Sequence, residues 1–419
     1  MILTMGGIKD ILILQKRELE NKLKETYLER TSDAKKLKNP LIKVIIGPRR
    51  AGKSFFALHF LSQQGNFSYV NFDDERLVEI KDYDEIITAM KAIYNNPKLV
   101  LLDEIQNIPK WELFVNRLQR QGFNLIITGS NSNLLSKELA THLTGRHLSI
   151  YIFPFSFKEI IGKDELTTSE TKEKLSEYII YGGYPEPLIK GMDYKEYLST
   201  LFSSIVYKDI IKRYRIREAQ GIEDLASYLL SNIAKEYSFN SLKRLTQLQS
   251  SHTVEKYIHY LEEAFIFFSL KRFSYKVKEQ LSSNKKIYCI DNGFIYAKAF
   301  KSSPDMGRLY ENIVAKELKK KEMENKLKFF YWKNQQQEEV DFVIQENAKI
   351  KHLIQVCINL ENNETKNREV RALLKAGKEL KCRSLFVITE EYEAEEELEW
   401  FGIKGKVRFI PLWKWLLLK

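Results

Sequence analysis

Residues 47–54 read Gly-Pro-Arg-Arg-Ala-Gly-Lys-Ser, which fits the phosphate-loop pattern G-x-x-x-x-G-K-[ST]. The two glycines allow the backbone to curl so that successive N–H groups face an anion. Lys53 would reach the β- and γ-phosphates of ATP, and Ser54 would offer its hydroxyl to Mg²⁺. The residues predicted to bind the nucleotide are Gly47, Pro48, Arg49, Arg50, Ala51, Gly52, Lys53 and Ser54.

An acidic pair further along the chain could complete this site. Residues 98–102 form an apolar run that predicts a strand, and Asp103 and Glu104 follow it directly. An acid at the end of a strand beside a phosphate loop can hold Mg²⁺ through water, and the next carboxylate can polarise the attacking water. We assign Asp103 to the metal and Glu104 to the water. The alternative is a pair of acids that caps a helix after a strand.

Three more positions are candidates for contact with the γ-phosphate. The predicted strand 123–127 is followed by a polar stretch in which Ser130 and Asn131 could sense this group, although Gly-Ser-Asn is also a common turn. Arg146 precedes the predicted strand 147–153 and should lie on the rim of the domain. In an oligomer it could reach a neighbour's γ-phosphate, an effect of about 10³-fold or more on hydrolysis. The alternative is a surface arginine that pairs locally.

The elements that must hold these residues can be predicted from the surrounding sequence. Residues 41–46 are apolar and typical of a buried strand, and residues 55–62 favour a helix whose positive N-terminal end would face the phosphates. Strands and helices alternate up to residue 153, which predicts a doubly wound α/β fold with a parallel sheet and the site at the strands' carboxyl ends. Helical patterns then dominate residues 155–217, interrupted at residues 182–187, and we interpret this segment as a lid over the nucleotide.

Composition restricts the class of protein and its partners. The 419 residues suggest about two or three domains, and the net charge of +11 favours an acidic partner such as nucleic acid over a merely solvated basic surface. Three cysteines, Cys289, Cys357 and Cys382, are too few and too scattered for a disulfide framework or a zinc site, so we expect a reducing, cytoplasmic setting. No apolar run approaches the ~18 residues that span a membrane, and no signal-peptide pattern is present.

Five motifs occur in a fixed order along the chain. They are GPRRAGKS (47–54), LVLLDEIQ (99–106), IITGSN (126–131), LTGRHLSIYIFPFSF (143–157) and YGGYPEP (181–187). In this combination the sequence resembles the AAA+-type archaeal and bacterial ATPase family whose C-terminal half is a domain of unknown function. The resemblance covers the chain beyond about residue 40. It implies an oligomeric, ring-forming ATPase, by default a hexamer, in which Arg146 is the arginine finger.

The middle of the chain predicts a helix-turn-helix. Residues 222–234, 239–245 and 251–265 have helical patterns with a short break before the last, and residues 267–275 alternate as in the hairpin of a winged helix. Within residues 208–278, basic side chains outnumber acidic ones by 13 to 8, which favours contact with phosphates. The predicted DNA-binding residues are Arg213, Arg215, Arg217, Ser251, His252 and Lys256. A protein-contact role for the same module stays open.

The C-terminal part returns to an α/β pattern. A helix glutamate, Glu311, precedes a strand aspartate, Asp341, as in the restriction-endonuclease-like fold, where two carboxylates bind Mg²⁺ and a lysine helps to activate water. The expected E-x-K is replaced by Gln-Val-Cys, and a thiol cannot replace an ammonium. We therefore predict a vestigial nuclease site, with Glu311 and Asp341 alternatively surface acids. Its members are Glu311, Asp341, Gln355 and Cys357, with Lys333 and Lys351 as poor candidates for the missing lysine.

The expected organisation has five parts: an N-terminal helix (1–40), an AAA+ core (41–154), a helical lid (155–217), a winged helix (218–278) and a degenerate nuclease-like domain (285–419). Together they predict an oligomeric ATPase that binds Mg-ATP and remodels or translocates DNA, for example at branched junctions. One alternative is a nucleotide-dependent signalling switch that acts on a protein partner. Another is an ATP-dependent nuclease, which the missing E-x-K opposes.

Overall fold

The computed structural model describes residues 7–32, 34–78, 80, 82–130, 143, 145–300 and 305–418. The chain divides into two compact units, Met1–Phe153 and Pro154–Lys419. Among the described helices, none has both the length and the apolarity to cross a lipid bilayer. The predicted sensor Asn131 lies outside the described residues.

A five-stranded parallel sheet forms the centre of the first unit. Its strands are β1 (Ile42–Ile46), β2 (Phe67–Asn71), β3 (Leu99–Asp103), β4 (Asn124–Gly129) and β5 (His147–Tyr151), in the order β2-β3-β4-β1-β5. All four pairings are parallel, which confirms the predicted α/β core. The accompanying helices are α1 (Ile8–Lys22), α2 (Lys53–Ser62), α3 (Glu75–Val78), α4 (Tyr83–Ile93) and α5 (Trp111–Arg120).

The apolar composition of the strands explains their central position. All five residues of β1 are buried, as are the middle residues of β2 and β3, because helices cover the sheet. The N-terminal helix α1 belongs to this unit. The Gln15 side chain donates to the carbonyl of Asn71 at 3.0 Å and accepts its N–H at 2.9 Å, which fastens α1 to β2.

The strand order brings three chain segments to one edge of the sheet. β4 lies between β1 and β3, so the carboxyl ends of all three strands are neighbours. The phosphate loop follows β1, the acidic pair follows β3, and β4 ends in a polar stretch. This edge is where parallel α/β sheets bind ligands.

Helices open the second unit. They are α6 (Phe157–Ile161), α7 (Thr168–Tyr181), α8 (Pro185–Lys190), α9 (Tyr194–Ser204), which continues as a π-helix (Ile205–Lys212), α10 (Ala219–Ser231), α11 (Phe239–Thr246) and α12 (Ser251–Glu263). The sequence pattern predicts one long helix over 194–214, whereas the structure changes from α to π geometry at Ile205.

A three-stranded antiparallel sheet follows these helices, and here the structure differs from the prediction. Its strands are β6 (Glu236–Tyr237), β7 (Phe267–Lys271) and β8 (Lys285–Cys289), in the order β6-β8-β7. The hairpin predicted within 267–275 is wrong, because β7 pairs with β8 across a long connection that contains the short helix α13 (Val277–Ser282).

A six-stranded mixed sheet completes the second unit. Its strands are β9 (Lys328–Lys333), β10 (Glu339–Glu346), β11 (Lys349–Val356), β12 (Leu385–Thr389), β13 (Ala394–Trp400) and β14 (Ile403–Pro411). Their order is β13-β14-β12-β11-β10-β9. The helices of this part are α14 (Asn292–Lys298), α15 (Met306–Met323), α16 (Asn363–Glu379) and α17 (Leu412–Leu417).

The glycine pair at residues 182 and 183 is required by close packing within this unit. A Cβ on Gly182 would lie 1.7 Å from Oδ1 of Asp291, and a Cβ on Gly183 would lie 2.1 Å from the carbonyl oxygen of Phe155. The Gly183 N–H donates to the fully buried Asp291 carboxylate at 2.9 Å. The YGGYPEP motif therefore supports the interior of the second unit.

Candidate active site

The phosphate loop is shaped by two glycines. A Cβ on Gly47 would lie 1.8 Å from the carbonyl oxygen of Ile152, so the loop passes too close to the chain after β5 for any side chain. Gly52 caps α2 with φ of 90°, a left-handed conformation that glycine adopts without strain. The resulting curl ends at the amino terminus of α2, where helix N–H groups and the helix dipole favour an anion.

Lys53 lies inside this loop. Its side chain is 4% exposed, and its Nζ donates to the carbonyl of Pro48 at 2.9 Å. The same ammonium lies 3.7 Å from Oε1 of Glu104. Lys53 therefore links the phosphate loop to the acidic pair, and its neutral carbonyl partner can be exchanged for a phosphate oxygen.

Asp103 is the centre of a cluster of hydroxyl groups. Ser54 donates to Oδ1 of Asp103 at 2.7 Å, Tyr69 donates to Oδ2 at 3.1 Å, and Thr128 also donates to Oδ1. Burial and the negative charge of Glu104 raise the pKa of Asp103. A buried carboxylate of this kind is stabilised by a cation, and oxygen ligands are those that Mg²⁺ prefers.

The donor set decides how Mg²⁺ could be held. Within the described residues, no group of three or more His, Cys, Asp or Glu side chains is arranged to bind a metal ion. Mg²⁺ in nucleotide sites commonly takes one or two protein ligands and completes its shell with phosphates and water. Ser54 and Asp103 fit this arrangement, and they are the residues that would hold the ion.

Glu104 adopts a conformation that aims its carboxylate toward the loop. Its φ is 50°, and its Oε2 accepts hydrogen bonds from Gln106 and, at 2.9 Å, from Ser130. Burial alone would raise the pKa of Glu104, but the charge of Lys53 and these hydrogen bonds outweigh it, so the pKa is lowered. Glu104 is therefore ionised at neutral pH and can accept a hydrogen bond from water.

The hydroxyl of Thr128 is the contact that the sequence analysis missed. It donates to Asp103 and accepts the backbone N–H of Glu104 at 3.0 Å, so one side chain positions both acids. The predicted sensor Ser130 contacts Glu104, as described above. Thr128 could have been found from the strand order, because the end of β4 lies beside the ends of β1 and β3.

Arg146 lies near the amino end of β1, opposite the carboxyl ends of the strands where the nucleotide site is. Its carbonyl accepts the N–H of Ile42 at 3.1 Å, which places it beside the first residue of β1. The phosphate loop follows the other end of that strand, about 16 Å away for five extended residues. Arg146 is exposed, and the length of strand β1 separates its backbone from the nucleotide site of its own chain.

Comparison with known proteins identifies the family of the chain. Residues 39–161 match an "AAA domain" model, residues 172–305 a "domain of unknown function (DUF8612)" and residues 306–415 a "domain of unknown function (DUF4143)". The chain is 37% identical to "Uncharacterized protein MJ1544" of Methanocaldococcus jannaschii over 99% of this chain and 100% of that protein. The chain belongs to this AAA-type ATPase family. In this chain the AAA domain is followed, at the C-terminal end, by the DUF4143 match.

One further curated protein and two solved structures are similar to parts of the chain. An "Uncharacterized protein" of Haemophilus influenzae is 35% identical over 70% of this chain and 78% of its own length. Among solved structures, the Walker-type ATPase PABY2304 of Pyrococcus abyssi has a TM-score of 0.41 at 14% identity, covering 67% of this chain and 95% of that chain. AMPPCP-bound DnaA from Aquifex aeolicus has a TM-score of 0.23 at 16% identity, covering 63% and 90%.

A second group of acids lies in a cavity of about 470 Å³ in the C-terminal part of the ATPase. The cavity lining includes three of the predicted residues, Glu311, Asp341 and Gln355. The fourth, Cys357, is buried and directs its thiol toward the carbonyl of Asn359. We call this cavity, with Glu311, Glu339 and Asp341 on its wall, the acidic pocket.

A lysine that was not predicted pairs with the acids on the wall of the acidic pocket, although it does not line the cavity itself. Nζ of Lys286, on β8, lies 2.9 Å from Oε1 of Glu311 and 3.2 Å from Oδ1 of Asp341, and it also contacts Glu339. Of the two candidate lysines, Lys333 instead pairs with Glu236. Burial and the negative charge of Glu311 raise the pKa of Asp341 to about 7.

The predicted DNA-binding side chains lie in the middle of the second unit. Arg213, Arg215 and Arg217 are exposed on the segment that precedes α10. His252 and Lys256 are exposed near the start of α12, where His252 lies 3.9 Å from Glu255, and Ser251 is half-buried. The rings of Tyr214 and Tyr260 stack with centroids 3.6 Å apart, so the arginine segment lies alongside α12.

Proposed function

We propose that the chain is an oligomeric, Mg-ATP-hydrolysing AAA+ ATPase that acts as a DNA-binding motor and translocates or remodels DNA, such as branched junctions. The observation that carries the ATPase part is the position of Lys53 between the phosphate loop and Glu104. The ammonium, a metal-binding acid and an ionised second acid lie at one edge of the sheet. Family membership agrees with this part.

Each residue of the site has a separate role in hydrolysis. Loop N–H groups and Lys53 bind the β- and γ-phosphates, and Ser54 and Asp103 hold Mg²⁺, which when bound neutralises phosphate charge. Glu104 accepts a hydrogen bond from the water and orients it for attack on the γ-phosphorus, which releases ADP and phosphate. Ser130, bonded to Glu104, would respond to the presence of the γ-phosphate.

The position of Arg146 favours an oligomer. Because the length of the sheet separates Arg146 from its own phosphate loop, a role in hydrolysis requires the nucleotide of a neighbouring copy. A ring of six is the default for this type of assembly. Arg146→Ala should lower turnover in the oligomer, and mixing it with Lys53→Ala subunits should restore part of the activity, because each variant supplies the group that the other lacks.

Basic charge beside α12 supports nucleic acid as the partner. A winged helix would consist of α10, α11 and α12 with the sheet β6-β8-β7, and α12 would be its recognition helix. The Tyr214–Tyr260 stack, with Nζ of Lys256 5.8 Å from the centroid of the Tyr260 ring, brings the segment of Arg213 and Arg215 beside α12, where these charges would form a basic face. Such a face binds phosphates without regard to sequence, and its binding weakens with salt.

The test is ATP turnover without nucleic acid and with duplex, single strand or a four-way junction, at two salt concentrations. The proposal predicts stimulation by one DNA form, and this stimulation should fade as salt rises. Lys256→Glu should reduce the stimulation without changing basal turnover. Lys349→Glu, a charge reversal at the exposed first residue of β11, is the matched control and should leave stimulation intact. Equal turnover with every DNA form contradicts the motor.

A nucleotide-dependent switch acting on a protein is the second candidate, and one surface favours it. Tyr275, Val277 and Leu281 in the connection between β7 and β8 are 72%, 68% and 65% exposed, which is unusual for large apolar side chains. A partner protein that covers them would stabilise the chain. Flat turnover on all DNA forms, together with partner capture that is lost in Leu281→Ser, would favour the switch over the motor.

A further inference from the structure

The acids on the wall of the acidic pocket already pair with a cation, the ammonium of Lys286. Its contacts with Glu311, Glu339 and Asp341 are all 3.2 Å or shorter. A lysine ammonium has three N–H donors, so three carboxylates use its full capacity. Lys286 is 3% exposed, and a buried ammonium without such partners would be strongly destabilising.

Lys286 connects elements that are distant in sequence. It lies on β8 of the three-stranded sheet, whereas Glu311 is on α15 and the other two acids are on β10. Tyr288, two residues further along β8, donates to the same oxygen of Glu311 at 2.6 Å. One face of β8 is therefore fastened to α15 and to β10 of the six-stranded sheet.

The ammonium fills the volume that a divalent metal would need. A metal ion bridging Glu311 and Asp341 would lie about 2.0–2.6 Å from an oxygen of each, which is the region occupied by Nζ of Lys286. Gln355 supplies no free ligand. Its Oε1 accepts the N–H of Asp341 at 3.2 Å, and its Nε2 donates to Glu369 at 2.6 Å.

We infer that Lys286 is the resident cation of the acids on the wall of the acidic pocket: it joins β8 to α15 and β10 and keeps divalent metal ions away from Glu311 and Asp341, and these two carboxylates bind a divalent ion once the lysine is removed. The three acids otherwise place uncompensated negative charge in a buried position. The ammonium of Lys286 offsets part of this charge, and a divalent ion can take the place of the ammonium.

The experiment compares the full chain with Lys286→Met and Lys285→Met in nucleotide-free buffer, using Mn²⁺ as the probe. Lys285 is the neighbour on the same strand and lies over the Phe239 ring, away from the pocket, so its variant is the control. Lys286→Met should raise the unfolding equilibrium constant by about 10²-fold or more, as expected when one partner of a buried ion pair is removed. Millimolar Mn²⁺ should recover part of this loss and should not affect the other two proteins.

Three results would overturn the inference. They are Mn²⁺ binding by the unmodified chain that is lost in Glu311→Gln, no stabilisation of Lys286→Met by Mn²⁺, or equal losses in both lysine variants. If Lys286→Met does not fold without metal, it is refolded with Mn²⁺, and the triple variant Lys286→Met, Glu311→Gln, Asp341→Asn is tested without it. The inference predicts that both fold, and failure of both contradicts it.

Discussion

Two lysines of this chain lie beside carboxylates, and their surroundings give them different roles. Lys53 donates to one neutral carbonyl, that of Pro48, and its nearest carboxylate oxygen is 3.7 Å away. Lys286 contacts three carboxylates at 3.2 Å or less. A lysine with a replaceable partner can transfer to a phosphate, whereas a lysine saturated by acids is fixed. The number and charge of its partners, more than burial, distinguish a binding lysine from a structural one.

The acids differ in the same way. The pKa of Glu104 is lowered because the Lys53 charge and two hydrogen bonds outweigh burial. The pKa of Asp341 is raised to about 7 because burial and the charge of Glu311 outweigh the single ammonium. The first acid is ionised where ATP would be hydrolysed, and the second titrates near neutral pH. This difference suits a reacting site in one case and a structural ion cluster in the other.

Removal of the loop lysine should have the largest effect on turnover. Lys53→Ala should reduce ATP turnover by about 10²–10³-fold, as expected for the loss of a preorganised charge at a transferring phosphoryl group. The measurement is steady-state phosphate release, with Lys98→Ala, an exposed lysine at the other end of β3, as the control. If Lys53→Ala turned over ATP at the unmodified rate, Lys53 would not be a phosphate-binding lysine, and the proposed difference from Lys286 would be wrong.

Thr128→Val tests whether the hydroxyl on β4 supports the first site. The variant keeps the shape of the side chain but leaves Asp103 without one donor and the Glu104 N–H without its acceptor. We expect turnover to fall by about 10–100-fold, in the range seen for groups that orient metal ligands. Thr88→Val, whose hydroxyl bonds within the exposed face of α4, is the control. An unchanged rate would show that the acids need no support from β4.

The smallest effect concerns pH. The pKa of Asp341 in the folded protein is about 7, above its ordinary value near 3.8, so its contribution to stability is present below pH ~4 and is lost as the pH rises through 7. The variant Asp341→Asn has no carboxyl group at this position, so it does not lose this stability as the pH rises. Its free energy of unfolding relative to the unmodified chain should therefore rise between pH 4.5 and 7.5, measured by chemical denaturation.

The control for this pH series is Asp164→Asn, which changes an exposed aspartate. Its stability relative to the unmodified chain should not follow the same course. If the free energies of unfolding of the two variants change with pH in the same way, the pocket does not raise the pKa of Asp341.

Much of the first site could be predicted because its residues are continuous in sequence. The phosphate loop and the Asp103–Glu104 pair each follow a short apolar run, and parallel strands bring such ends together. Thr128 could not be chosen over Ser130 without the strand order, since both hydroxyls end the same segment. The contact of Thr128 with Asp103 depends on β4 lying between β1 and β3.

The acidic pocket was predicted only in part for a different reason. Glu311, Asp341 and Gln355 lie on elements with clear patterns, but Lys286 is 25 residues before Glu311 and 55 before Asp341, on a strand of another sheet. The edge hairpin β13–β14 was missed because four of the seven residues of β13 are glutamates, three of them consecutive, and such a run is typical of a polar loop. Long-range contact, which sequence patterns do not encode, decided the position of Lys286.

The most direct test compares ATP turnover by Glu104→Gln and by Glu311→Gln, each corrected for the folded fraction. Both changes remove one charge from an acid beside a lysine. We predict that Glu104→Gln still binds ATP but loses turnover by about 10²-fold or more, because the water loses its acceptor, whereas Glu311→Gln keeps the unmodified rate. Normal turnover in Glu104→Gln would contradict the assignment of the active site.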